Sequence, residues 1–306
     1  MVKNKIAQIL KANNFVPIRY LQGEAEYNYL GLPGYSNRLF NKKESVLIEG
    51  RYLNKPAVLK MIVAYNNNAL LFKRELYAYR ILAKKQFLIR KLIPKYYFHS
   101  FDPCPYVIIE KANGEKFGDW YQVQDNAFEL IKQCLSRLKT LHQSISLPKY
   151  IAYPIINREP NILFMKLIKQ LAITDYQNKL RLTDYLRTKL PQAQSEWKKA
   201  RKGFSYGDFS LSNVIVNKGS IKFIDWENIG NAVLGHDHSL LIFAAIGSKI
   251  EKSIVNLCQN IAKDNKQLEL LNFLVLYQVV KNISKFSHKD KNKFLNLSGF
   301  IDRQIN

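Results

Sequence analysis

The chain has few cysteines and no pattern among them. Cys104, Cys134 and Cys258 are widely spaced and odd in number, which excludes a disulfide framework and a Cys-x2-Cys metal clip and fits a reducing, cytoplasmic setting. A secretory signal is not expected either, because residues 1–15 mix Lys3, Lys5 and Lys11 with Ile6, Ile9 and Leu10 at helical spacing and contain no continuous apolar stretch. The longest apolar runs, 240–246 and 270–280, are too short and too interrupted to cross a bilayer, so no transmembrane segment is expected. No repeat or low-complexity tract is present.

Acidic residues are scarce. Asp and Glu number 24 against 47 Lys and Arg, a formal net charge of +23 that concentrates any anion near the surface. ATP, nucleic acid, anionic lipid and acidic glycans all meet that condition, so charge alone selects no partner. The joint richness in Lys, Asn, Ile and Tyr reads equally well as the composition of the source genome.

What remains is a chain of 306 residues with 47% apolar content, enough to bury a sizeable core in one large or two modest domains. Its most informative stretch is 204–227. A Val214-Ile215-Val216 run, a turn at 217–220 and a second apolar run at 221–224 describe a short β-hairpin with polar residues at both ends. Asp208 is placed to accept a proton from an attacking hydroxyl, Asn213 offers a neutral amide oxygen, and Asp225 offers the hard anionic oxygen that Mg²⁺ prefers. Upstream, residues 45–52 and 56–63 read as two strands. Lys60 lies inside the second, where a charge needs a counter-charge or an exposed edge. The helical pattern at 71–82 supplies Glu75 as that counter-charge.

These residues resemble the aminoglycoside phosphotransferase and choline kinase family of small-molecule kinases. The resemblance is carried by Gly207-Asp208-Phe209, Asn213 and Ile224-Asp225-Trp226-Glu227, with Tyr206 standing where the family has His. It implies an α+β, protein-kinase-like two-lobe fold: a small antiparallel-sheet N-lobe over 1–112 with an N-terminal helix, and a larger, mainly helical C-lobe over 113–306. The C-lobe would carry the catalytic loop, the metal site and the acceptor pocket. ATP and Mg²⁺ are the implied cofactors. Asp208 would be the base, Asn213 and Asp225 would bind Mg²⁺, and Glu227 would assist a second metal or hold the loop. Lys60, held by Glu75, would orient the phosphates, as the strand lysine of kinases does. Gly34, Ser36 and Asn37 resemble the phosphate-covering loop, a role the turn at 41–44 fits as well. Glu110 opens a segment resembling the hinge whose backbone bonds adenine. Asp237 matches a family Asp that ties the segment after the metal site to the helical lobe.

Around these positions, β-type sequence at 32–40, two strands at 93–99 and 106–110 and the pair above complete a five-stranded sheet. A helix spans 125–142. Prolines 154, 160 and 191 are expected to break the helical patterns at 150–203, and 187–202 is basic, by default a solvated face. His236 and His238 read as hydrogen-bonded loop histidines in preference to metal ligands. A polycationic acceptor is disfavoured by +23, which leaves a hydroxylated metabolite or glycoconjugate. The rival reading is a non-catalytic kinase-like protein that binds nucleic acid or an anionic membrane surface. A protein kinase is not indicated, since no Ala-Pro-Glu follows Asp225.

Overall fold

Alternating apolar residues build the first sheet. In the computed structural model, which describes residues 2–22, 45–62, 65–85, 87–152, 159–174, 176–287 and 290–305, helix α1 (Val2–Ala12) leads into strand β1 (Phe15–Gln22). Strands β2 (Ser45–Tyr52) and β3 (Lys55–Ile62) follow, then helix α2 (Tyr65–Tyr77), which runs on through a π-turn at Ala78–Leu82. Short helices α3 (Ala83–Lys85) and α4 (Phe87–Leu92) precede β4 (Tyr96–Ser100) and β5 (Tyr106–Glu110). The five strands pair antiparallel in the order β1-β2-β3-β5-β4. Val46, Ile48, Leu59, Met61 and Ile108 turn into a core that Ile6 and Ile9 of α1 help to close.

The first strand is Phe15–Gln22, which local sequence does not announce. Pro17 obscures it, yet β1 is an edge strand and its register shifts between Pro17 and Arg19, a setting where the missing N–H does little harm. The β-type segment at 32–40, Gly34, Ser36 and Asn37, the turn at 41–44 and Pro154 lie outside the described residues.

The chain divides into two compact units, 1–115 with 215–227, and 116–214 with 228–306. The hairpin of β7 (Val214–Asn217) and β8 (Ser220–Phe223) therefore groups largely with the sheet. Its turn places both Lys218 and Gly219 at positive φ (47° and 77°), the geometry that matches strand twist in a two-residue hairpin. Val216 exchanges two backbone hydrogen bonds with Glu115 (2.9 and 3.0 Å). That approach needs Gly114, which holds φ 145° and whose missing Cβ would stand 2.2 Å from the Val216 carbonyl oxygen.

The second unit holds α5 (Phe128–Ser144), α6 (Lys149–Ala152), α7 (Pro160–Ala172), α8 (Lys179–Lys199), β6 (Gly203–Ser205), β9 (Gly230–Ala232), α9 (Gly235–Ala245), α10 (Glu251–Asp264), α11 (Leu268–Ile283) and α12 (Lys291–Ile305). Helix α11 buries residues around most of its circumference and packs on α7, α8 and α9, as the central helix of a bundle does. Two expectations are corrected here. Pro191 does not break α8, because Leu182, Leu186 and Ala193 keep one buried face on both sides of it, and that packing outweighs a proline cost of about 3 kcal/mol. Pro160 starts α7 at the first helical position, where its missing N–H would have had no helical partner. Lys293 of α12 caps α9 by donating to the carbonyls of Phe243 (3.1 Å), Ala244 (3.3 Å) and Ile246 (2.7 Å).

Gly114→Ala is expected to push Val216 off Glu115 and to lower stability by roughly 1–3 kcal/mol. Urea unfolding of the variant checks this; a wild-type midpoint would refute it.

Candidate active site

Lys60 sits on β3, the middle strand of the sheet, opposite Leu47 on one side and Val107 on the other. An ammonium buried there must find carboxylates, and it finds three. Its Nζ lies 2.7 Å from Glu75 Oε2, 2.9 Å from Asp225 Oδ1 and 2.9 Å from Glu227 Oε2. Burial by itself would lower the pKa of Lys60, but the charges of Asp225 and Glu75 outweigh it and raise the pKa above the ordinary lysine value. Lys60, Glu75 and Glu227 are buried, whereas the Asp225 side chain keeps 33% of its surface exposed, so Asp225 is the member that a ligand can reach.

Local structure explains the convergence. Glu75 is carried by α2, and Tyr79, four residues on in the π-turn, donates its hydroxyl to Glu75 Oε1 (3.3 Å). Burial first, then the charge of Glu75, holds the Tyr79 hydroxyl well above its usual pKa, so it remains a donor. Between the two other acids, Trp226 is fully buried and donates Nε1 to the Phe223 carbonyl (2.6 Å). This anchor lets Asp225 and Glu227 both turn to Lys60. The turn holds Asp225 at φ 62°, a left-handed backbone that Asp tolerates better than most residues and that concentrates at functional sites.

Glu75, Asp225 and Glu227 each offer an oxygen within 4.8 Å of the others. With Lys60 the formal charge of the group is two negative. Hard carboxylate oxygens, one of them open to solvent, fit Mg²⁺ chemistry.

In the second unit the loop after β6 carries Asp208. Asp237, on the first turn of α9, holds that loop by its backbone: Gly207 N–H donates to Oδ1 (2.9 Å), and Tyr206 N–H (3.1 Å) and Ser205 Oγ (3.0 Å) donate to Oδ2. Asp237 thus ties down the residues just before Asp208. Burial raises its pKa to about 6; the three donors work against that rise and Asp208 adds to it. Tyr206, in the place of the family His, is fully buried. Asn213 donates Nδ2 to the Asp208 carbonyl (3.1 Å) and lies 3.4 Å from Asp208 Oδ2, so these two residues share one loop. His236 and His238 are buried on α9 and do not lie in a loop, since the helix begins at Gly235. Burial lowers both to about 4 and keeps them neutral.

Glu110 ends β5 with its carboxylate paired to Lys222 and accepting the Lys95 N–H (2.9 Å), while its own N–H donates to the Lys95 carbonyl (2.7 Å). Burial would raise its pKa, but the Lys222 and Lys95 contacts lower it. Two contributors are not evident from the motif residues. Tyr79 is signalled only by its i+4 spacing from Glu75. Lys281 of α11, whose charge interacts with that of Asp208, has no signal in the sequence.

Solved structures share this fold. Aminoglycoside phosphotransferase APH(2'')-Ib, with ADP bound, aligns over 100% of this chain and 98% of its own at 16% identity and a TM-score of 0.59. A thermostable mutant of aminoglycoside phosphotransferase APH(4)-Ia, in ternary complex with ADP and hygromycin B, aligns over 98% and 97% at 11% identity and a TM-score of 0.56. A GDP and kanamycin complex of APH(2")-IIia covers 86% and 90% at 12% identity and a TM-score of 0.56. The architecture is therefore the protein-kinase-like one of small-molecule phosphotransferases. A sequence profile of the phosphotransferase enzyme family matches residues 48–253, two thirds of the chain, and the chain belongs to that family. No curated protein sequence matches it. Among the described residues no helix is long and apolar enough to cross a membrane.

Two outcomes follow from these geometries. Lys60→Met leaves three carboxylates facing one another and should cost about 3–5 kcal/mol of stability, part of which added Mg²⁺ restores; a variant as stable as wild type without Mg²⁺ would contradict the assignment. For Asp237 the folded pKa lies above the unfolded one, so its contribution is present below the ordinary value of 3.8 and is lost as pH rises through about 6. Across that window the wild type should lose stability relative to Asp237→Asn, with a constant difference above it. Urea midpoints at a series of pH values measure this, and a flat difference would refute it.

Proposed function

We propose that the protein moves the γ-phosphate of ATP to a hydroxyl of a small molecule or glycoconjugate. The observation that carries this reading is the buried Lys60 bound by Glu75, Asp225 and Glu227. In a chain of this family the arrangement has a direct use. Lys60, fixed by Glu75 with help from Tyr79, orients the nucleotide phosphates. Asp225, with Asn213 and Glu227, would hold Mg²⁺, which when bound would supply positive charge to the transferring phosphoryl group. In this structure the Asp225 carboxylate accepts from Lys60 (2.9 Å).

Asp208 accepts the proton of the attacking hydroxyl, and the three donors from its loop to Asp237 hold its backbone in place. The Glu110 N–H is already bonded to the Lys95 carbonyl, so adenine contacts would come from other backbone groups of the segment 110–114. The compounds bound in two of the neighbouring structures, hygromycin B and kanamycin, are polycations, which a chain of +23 repels at long range.

Transfer from γ-labelled ATP with Mg²⁺, across amino alcohols, sugars and sugar phosphates, tests the reaction. Asp208→Asn should lower kcat by about 10²–10⁴-fold with little change in nucleotide affinity. Asp225→Ala should abolish the thermal stabilisation given by Mg-ATP. No Mg-ATP shift in the wild type would sink the proposal.

A further inference from the structure

The second unit contains a cleft of about 360 Å³, within the range of small-ligand pockets. Lys166, Lys169 and Gln170 of α7 and Tyr277 and Lys281 of α11 line it, and no described lining residue is acidic. Lys285, one turn beyond Lys281, extends the positive charge and sits over the Trp120 ring (5.3 Å) while donating to Asn282 Oδ1 (2.7 Å). Both of those partners are neutral. Like charges held this close repel one another. Surrounding protein lowers the Lys281 pKa and Lys166 lowers it further, while Asp208 opposes them.

The Lys281 ammonium, which lines the cleft, interacts with the Asp208 carboxylate. Three ammonium groups with no carboxylate among their lining neighbours are a poor site for an aminoglycoside and a good one for a dianion, to which lysines bind as mobile point charges. Met165 (59% exposed) and Ile173 (73% exposed) add apolar surface on the same stretch. A phosphate reaching this cleft thus has two sources, a soluble metabolite or the headgroup of a lipid-linked compound.

We propose that the cleft receives an anionic acceptor, a hydroxylated compound bearing a phosphate, with Lys166, Lys169 and Lys281 holding the negative group while a hydroxyl faces Asp208. The inference rests on the phosphotransferase reading above and narrows its acceptor to one charge class.

The test titrates Mg-ADP-loaded protein with glycerol 3-phosphate and glucose 6-phosphate, and with neutral glycerol and glucose. Phosphorylated probes should bind at least tenfold more tightly than their neutral parents. Lys166→Gln with Lys281→Gln should erase that preference, and Lys166→Arg with Lys281→Arg should keep it. All four substitutions fall on exposed side chains, so folding is retained, which circular dichroism checks. Equal binding of neutral and phosphorylated probes, binding of neither, or a preference that survives the double Gln variant overturns the proposal. Tighter binding to phosphatidic acid vesicles than to soluble probes, lost in the double Gln variant, supports it and identifies a lipid source. Failure of Mg-ADP to stabilise the protein counts against the phosphotransferase reading itself; titration of the nucleotide-free protein then still decides the role of the lysines.

Discussion

Burying the Lys60 ammonium in the middle strand of a sheet is the constraint from which the rest of the first unit follows. A charge there is tolerated only with carboxylates at hydrogen-bond distance, and two elements meet the demand: α2 through Glu75 and the post-hairpin turn through Asp225 and Glu227. Those three acids oppose one ammonium, so the group is over-supplied with negative charge for a purely structural ion pair. The excess suits a cation-dependent reaction. Trp226 in the core and Gly114 against Val216 are the packing conditions that keep the turn where Lys60 needs it.

The second unit solves a different problem, that of holding a loop still without using the side chain of Asp208, the proposed base. Asp237 binds the backbone of Gly207 and Tyr206 and the hydroxyl of Ser205, and the Asp208 carboxylate takes no part in those three bonds. Buried neutral histidines on either side of Asp237 add no competing charge. A carboxylate pushed upward by burial and steadied by three donors is a rigid, pH-sensitive support. Lys281 of α11 interacts with Asp208, and it and the α7 lysines that line the same cleft are opposite in sign to what a polycationic acceptor requires.

Much of this was legible along the chain, for reasons that can be named. Strand periodicity located β2, β3 and β5, and a lysine inside an apolar strand called for a counter-charge or an exposed edge, of which the structure shows the first. The hairpin was readable because Lys218-Gly219 is a turn pair between apolar runs. Other features were hidden by rules that tertiary context overrides. Pro17 masked an edge strand, Pro191 suggested a break in a helix that packing holds together, and the histidines beside Asp237 read as a loop because the apolar helix after them is buried nearly all round.

By itself the sequence determined which candidate parts are present and their order in the chain: an acid proposed for proton transfer, an amide and acids proposed for a hard cation, and a strand lysine proposed for phosphates. Residue type and local spacing suffice for that, since both are properties of short segments. Only the tertiary structure decided that Glu227 joins Glu75 and Asp225 on one ammonium, that Asp237 clamps the backbone before Asp208, and that lysines from two helices over a hundred residues apart share a cleft. These are meetings of segments distant in sequence. Their cause is the burial of apolar faces across the whole fold, which no local pattern records.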